Sequence, residues 1–428
     1  MPGSEDEFKC CTRDFLFTCV DLLLFLFDIG LDIWAAVSLY KQEAYVYFSL
    51  LLLFLLGSSM LVQVYSWLWY RYDDFKMKTK IEKKPSQCQL KLLHVFQLGI
   101  FFRLFHECVQ CVHSAPGVME KSVQSLYRKR ADAESVAKFL RQDLRILRFI
   151  ETFSESAPQL ALMLTIILHE GRLDPVTELL GSSNKESAFV LTLPLALPSV
   201  LKAIGSTLSI ASFLTTYDHS MRTFLPEKEK HHMISLVFYF IWNLVLISSR
   251  LTALAVFASV LPCFIFAHFI CSWLVLFFFA WRSKTDFMDD PRAEWLYRST
   301  VGLIWYFNWF SVAKGMRIRS VLYHAYILID ICILCGLWCW KMSTDPPDFV
   351  THPLTTAACV VAVYVLGLLF KVIYYTFFHP NLDKDKLKGA TIPEEQPEDE
   401  ERSHSVPTRL LKATDNKRMR KLAENFFC

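Results

Sequence analysis

Ten stretches of this 428-residue chain are apolar over roughly 20 residues, the length of helix that crosses a bilayer. They lie at approximately 15–39, 44–70, 90–113, 147–169, 188–217, 233–259, 262–281, 297–313, 319–341 and 354–378. Two fit poorly as full spans. The stretch 90–113 carries Arg103, His106, Glu107 and His113, and 297–313 is short and starts beside Arg298. Polar backbone and charge are tolerated at that depth only against protein or water, so both read as half-inserted, re-entrant helices. The expectation is an all-α polytopic membrane protein with eight spans.

Composition agrees. Apolar residues make up 53% of the chain and charged residues 20%, too little polar surface to cover a water-soluble core. That excludes an ordinary cytosolic enzyme, a disulfide-stapled secreted domain and a disordered protein. The 13 cysteines show no paired spacing and read as small helix-packing residues, with Cys10 and Cys11 placed for lipidation.

The distribution of Lys and Arg orients the spans. With both termini in the cytosol, only Lys41, Arg172, Lys185 and Lys341 of the 45 basic side chains fall in external loops. The first apolar run holds carboxylates and has no small-residue cleavage site, so it reads as a retained span. The insert 114–146 reads as a basic amphipathic helix (Lys121, Arg128, Lys129, Arg130, Lys138, Arg141, Arg145) suited to anionic lipid, or equally as a solvated connector.

Charges inside the spans carry the functional signal, because each costs at least ~2.5–3.5 kcal/mol on insertion scales. The first span holds Asp14, Asp21, Asp28 and Asp32. At ~100° per residue their spacing brings all four within roughly 40° on one helix face. The face rises about 27 Å, close to the hydrocarbon thickness. Glu151 and Glu155 lie one turn apart on the fourth span, before Pro158. Lys202, Arg250 and Arg298 are available bases, and Asp218 and Asp330 sit in later segments. Ion pairs that hold the bundle together are one account of these charges. Six carboxylates against so few bases favour a wet groove or protonated acids, and hence a path for an ion, a proton-coupled solute or a lipid headgroup.

No phosphate loop, dinucleotide fingerprint, serine elbow or zinc-protease motif is present, and His106-x-Cys108-x-x-Cys111-x-His113 lacks a zinc-site spacing. A non-enzymatic protein with no metal, cofactor or nucleic-acid partner is expected. After the bundle 1–378 comes an acidic linker, 379–406, and then a basic amphipathic helix, 407–428, with Leu411, Met419, Leu422 and Phe426 at helical spacing.

Asp28-Ile29-Gly30-Leu31-Asp32-Ile33-Trp34, Ser66-Trp67-Leu68-Trp69, the Glu151-to-Leu160 stretch, Thr285-Asp286-Phe287-Met288 with Glu294-Trp295-Leu296-Tyr297-Arg298, and Asn416-Lys417-Arg418-Met419 with Phe426-Phe427 together resemble the XK-related membrane proteins. The resemblance implies eight spans, two half-helices and an ATP-independent phospholipid scramblase exposing phosphatidylserine at the plasma membrane in apoptosis. Asp14, Asp28, Asp32, Glu151, Glu155, Asp218 and Arg250 match the family's charged path, whereas Asp21 is added from periodicity. Arg250 or Lys202 is expected to meet the phosphate. The family also implies a basigin- or neuroplastin-type single-pass partner. The caspase site of apoptosis-activated members is missing, since no tail aspartate has another three residues before it; Asp385, Asp399 and Asp415 are the remaining cleavage positions. Kinase control at Ser403, Ser405 or Thr408 is the alternative, with the tail helix acting as the restraint. An ion- or proton-coupled transporter and a non-transporting scaffold subunit remain as alternative functions.

Overall fold

The computed structural model describes residues 29–72, 86–105, 140–169, 186–224, 233–283, 285–312, 316–344, 352–378 and 421, with side chains omitted over 186–202. Among the described residues there are helices and no strands. The chain forms two compact units that meet in sequence at Glu151 and Thr152.

The first unit contains α1 (29–41), α2 (Tyr45–Tyr72), α3 (Gln87–Val95), α4 (Gly99–Phe105) and α5 (140–151). Glu43, at φ 57°, makes the tight turn between α1 and α2. Helix α3 starts at a reciprocal capping box, in which Ser86 Oγ accepts from Gln89 N and Gln89 Oε1 accepts from Ser86 N. It ends at Gln97, whose φ of 65° lies in the left-handed region, and the chain turns by 114° into α4. A bend of that size within a short apolar stretch is the shape expected of a segment that enters and leaves the membrane on one side.

Gly99 makes the corner possible. A Cβ there would lie 2.5 Å from His94 Cδ2 and 2.6 Å from Gln63 Oε1. Residues 140–146, assigned to a surface helix from the sequence, instead enter the core: Leu140, Gln142, Asp143 and Leu144 are all buried. The rest of that insert, 114–139, lies outside the described residues.

The second unit opens with a π-helix, Thr152–Ser156, followed by α6 (Ala157–His169) and α7 (Glu186–Phe224). Next come α8 (Met233–Val260), α9 (Pro262–Arg282), α10 (Pro291–Phe307), α11 (Arg317–Thr344) and α12 (Pro353–Ile373), which runs into a second π-helix, Tyr374–Phe378. Proline occupies the first turn of α9, α10 and α12, where its missing N–H costs nothing. Helix α8 is the hub, packed against α6, α7, α11 and α12. Leu246, Ile247, Leu251, Ala253 and Ala255, spread around more than half of its circumference, are almost fully buried. By contrast α11 turns Ile329, Ile333 and Trp340 outward, as a lipid-facing helix does.

Small residues bring helices together. A Cβ on Gly367 of α12 would meet Leu246 Cδ2 at 2.7 Å, and one on Gly302 of α10 would meet the Phe277 backbone at 3.1 Å. Among the described residues five helices, α2, α8, α9, α11 and the continuous Pro353–Phe378, are long and apolar enough to cross a membrane, or six if the bent α3–α4 pair counts as one span. The protein is therefore an all-α, multi-pass membrane protein. Of the other expected spans, 15–39 is described only from residue 29, and 147–169 is helical throughout, with the first π-helix at Thr152–Ser156. The stretch 188–217 lies within the 39-residue α7.

Candidate functional site

The second unit buries a charged cluster at half-height. Arg250, on α8, is 1% exposed. Its Nη1 donates to Asp330 Oδ2 at 2.6 Å, from α11, and its Nε donates to the Tyr306 carbonyl at 3.1 Å, near the end of α10. His268 of α9 closes the cluster, with Nε2 at 3.0 Å from Asp330 Oδ1 and Nδ1 at 3.0 Å from the Tyr306 hydroxyl. A proton on Nε2 donates to the carboxylate and leaves Nδ1 to accept from the phenol. Arg250 Nη2 is buried with no hydrogen-bond partner among the described residues.

Four helices thus contribute one charged or polar group each to a point that apolar spans would otherwise leave dry. Asp330 sits at the middle of the 28-residue α11. One turn away, Ser272 of α9 and Tyr326 of α11 share a hydrogen bond of 2.8 Å, so the polar seam between these two helices extends along their length.

A second constellation lies toward the other end of α8. Lys371 Nζ is 2.7 Å from His324 Nε2 and 3.2 Å from Ser320 Oγ, while His324 Nδ1 is 3.0 Å from the Tyr364 hydroxyl. Asp218 and Arg222, one turn apart on α7, pair at 3.0 Å.

In the first unit Arg103 of α4 is spent on three partners: Asp143 Oδ2 at 3.0 Å, Ser66 Oγ at 2.8 Å and the Ser66 carbonyl at 3.1 Å. Its guanidinium also lies 4.0 Å from the Tyr70 ring centroid. Ser66 Oγ is 2.9 Å from His94 Nε2, and His94 Nδ1 is 2.8 Å from the Leu90 carbonyl. With Nδ1–H donating to that carbonyl, the chain of donors runs in one direction, from Arg103 through Ser66 to His94.

The sequence-derived path residues fall as follows. Asp32 is buried on α1, among exposed Ile33, Trp34 and Val37. Glu151 lies 3.8 Å from Arg148, one turn earlier on α5. Glu155 is buried within the first π-helix, where the ladder of helical bonds widens by one residue. Asp218 is engaged by Arg222, and Arg250 by Asp330, which brings together two charges that the spacing rules leave on separate helices. Asp14, Asp21, Asp28, the Lys202 side chain and the tail positions Asp385, Asp399, Ser403, Ser405, Thr408, Asp415, Met419, Leu422 and Phe426 lie outside the described residues.

His268, Tyr306 and His324 escaped the sequence reading. A single polar residue in an apolar helix carries no periodicity; the usable signal was that each is titratable, or a phenol, inside a span.

The chain matches the family model described as XK-related protein over residues 16–380. Among curated relatives, it is 36% identical to XK-related protein 8 of Tetraodon nigroviridis over 391 residues, covering 90% of this chain and 88% of the relative. It is also 36% identical to XK-related protein 8 of Gasterosteus aculeatus over 393 residues, again covering 90% of this chain and 88% of the relative. The protein of the same description from Pan troglodytes is 33% identical over 423 residues, covering 97% of this chain and 94% of the relative. With the model spanning most of the chain and the relatives aligned nearly end to end, this chain belongs to the XK-related family.

Proposed function

We propose that the protein is an ATP-independent phospholipid scramblase of the plasma membrane, with both termini cytosolic, that exposes phosphatidylserine during apoptosis. The observation that carries this reading is the Arg250–Asp330–His268–Tyr306 cluster at half-height of membrane-spanning helices, with Arg250 Nη2 buried and unpartnered among the described residues. An N–H held in that state favours an anionic oxygen, and the phosphate common to all phospholipids supplies one. On residue type and spacing, Asp14, Asp21, Asp28 and Asp32 belong to the proposed lipid path. Glu151 and Glu155 belong to it on the same ground, with Lys202 a second phosphate partner.

The tail helix 407–428 would restrain the bundle until a kinase or a protease acts on it, and a basigin- or neuroplastin-type single-pass subunit would accompany the chain to the cell surface. The His268–Asp330 contact also suits a proton-coupled carrier, the second reading.

Purified protein, full length and truncated near residue 390, in liposomes with fluorescent lipid in both leaflets separates these readings. Outer-leaflet quencher should remove well over half of the signal in the truncated form. Quenching that stops at half in both forms would overturn the scramblase reading, and solute uptake driven by a pH gradient would establish the carrier.

A further inference from the structure

His94 sits where the helices of the first unit crowd together. It lies on α3, is 7% exposed, and groups from three other helices bear on it directly or through Arg103. From α2, Ser66 Oγ lies 2.9 Å from Nε2, and the Trp67 and Tyr70 rings lie 5.7 and 5.8 Å from the imidazole. From α4, Arg103 Nε donates to the same Ser66 Oγ at 2.8 Å, and the guanidinium is paired in turn with Asp143 of α5. Gly99, the first residue of α4, packs so closely on the ring that a Cβ there would lie 2.6 Å from Nε2.

Counting protons shows what this arrangement tolerates. Within α3, Nδ1–H donates to the Leu90 carbonyl at 2.8 Å. Arg103 Nε–H occupies one lone pair of Ser66 Oγ, so the Ser66 O–H is the proton that points to His94, and Nε2 must be bare to accept it. That bond ties α3 to α2. A second proton, on Nε2, turns the acceptor into a donor and strands the Ser66 O–H. It also creates a cation that shares one hydroxyl oxygen with the Arg103 cation, in a buried site that Gly99 and two aromatic rings enclose.

We infer that His94 is a proton switch for the α3–α4 corner: the neutral ring fastens α3 to α2 through Ser66, and uptake of a second proton releases it. In the opened corner the ring meets water and no longer shares a hydroxyl with Arg103. The open form therefore binds the proton more readily than the closed one, and acid favours opening. Imidazole is the side chain whose charge changes under mildly acidic conditions, so the bent segment would answer to the acidity of the aqueous side it faces. The switch concerns how α3 sits on α2, and it stands or falls independently of the scramblase reading.

Hydrogen–deuterium exchange of the full-length protein in mild detergent, at about pH 7.5 and about pH 5.5 with intrinsic rates corrected, tests the switch. Amides of α3 and α4 should lose about fivefold in protection on acidification. His94→Gln, whose Oε1 can still accept from Ser66 but which takes up no proton, should be equally protected at both values. Unchanged wild-type protection would overturn the switch, the second proton then being met in place by Gln63 Oε1, which is buried without a partner among the described residues and also lies against Gly99. A loss in His94→Gln equal to that of the wild type would overturn His94 as the titrating group. If His94→Gln does not fold, Ser66→Ala decides. It removes the hydroxyl that the neutral ring accepts, so protection at neutral pH should fall to within about twofold of the wild type's acid value. Full protection in that variant overturns the Ser66–His94 hold.

Discussion

Arg103 Nη1 and Asp143 Oδ2 meet at 3.0 Å with the two side chains 3% and 1% exposed, an ion pair closed off from solvent that joins α4 to α5. Breaking such a pair from one side leaves a buried charge without compensation, at a cost of about 3–5 kcal/mol, whereas replacing both partners by apolar groups is close to neutral. Arg103→Met and Asp143→Leu should each sharply lower the yield of folded protein. The double variant should recover it, as read by monodispersity in size-exclusion chromatography.

The corner between α3 and α4 should be intolerant of any side chain. Gly99→Ala forces a methyl into van der Waals overlap with His94 and Gln63, and overpacking of this kind costs about 1–3 kcal/mol. Gly57→Ala in α2, where nothing lies within 4 Å of the added methyl, should leave the thermal midpoint unchanged or slightly raised. The comparison of the two midpoints checks the corner.

Close approach of α12 to α8 makes a compensating pair. Gly367→Ala drives a methyl into Leu246 Cδ2, so it should destabilise; adding Leu246→Ala, which removes the obstructing atoms, should return part of the loss. A double-mutant cycle on thermal midpoints measures the coupling.

Glu294 organises the turn before α10. Its Oε2 accepts from the backbone N–H groups of Phe287 (3.1 Å) and Met288 (2.8 Å), and its Oε1 accepts from Thr285 Oγ1 (2.6 Å) and Arg298 Nε (3.2 Å). Glu294→Gln turns one acceptor into a donor facing other donors and should cost about 2 kcal/mol. The 285–288 turn should then become cleavable by added protease while the rest of the bundle stays intact.

Function and scaffolding separate at Arg250. Arg250→Met and Asp330→Leu should each impair folding by stranding one charge, and the double variant should fold. If the cluster guides headgroups, scrambling by the folded double variant in liposomes should remain at least tenfold slower than wild type. Recovery of both folding and rate would mean that the pair serves only to hold α8 to α11.

Segment length and apolar density were enough to read an all-α, multi-pass protein, because a hydrated backbone cannot exist in hydrocarbon and only about 20 helical residues reach across it. The same logic singled out 90–113 as a segment where Arg103 had to find a partner, and the chain bends there by 114°. It could not name Asp143, which lies 40 positions away on a helix taken for a surface element. The charged residues in 140–146 made that helix look amphipathic, while Leu140, Asp143 and Leu144 were the face it buries.

The intramembrane charges divide along the same line. That Asp32, Glu155, Arg250 and Asp330 are costly in lipid, and therefore need a partner or a purpose, follows from residue type and depth alone. Which partner each takes does not, because pairing across helices depends on rotation and crossing geometry set by close contacts such as Gly367 against Leu246 and Gly302 against Phe277. Periodicity places residues on a face of their own helix. Packing chooses the helix that face meets, and so it brought His268 and Tyr306 to Arg250 and Asp330, and Trp242 to Lys371.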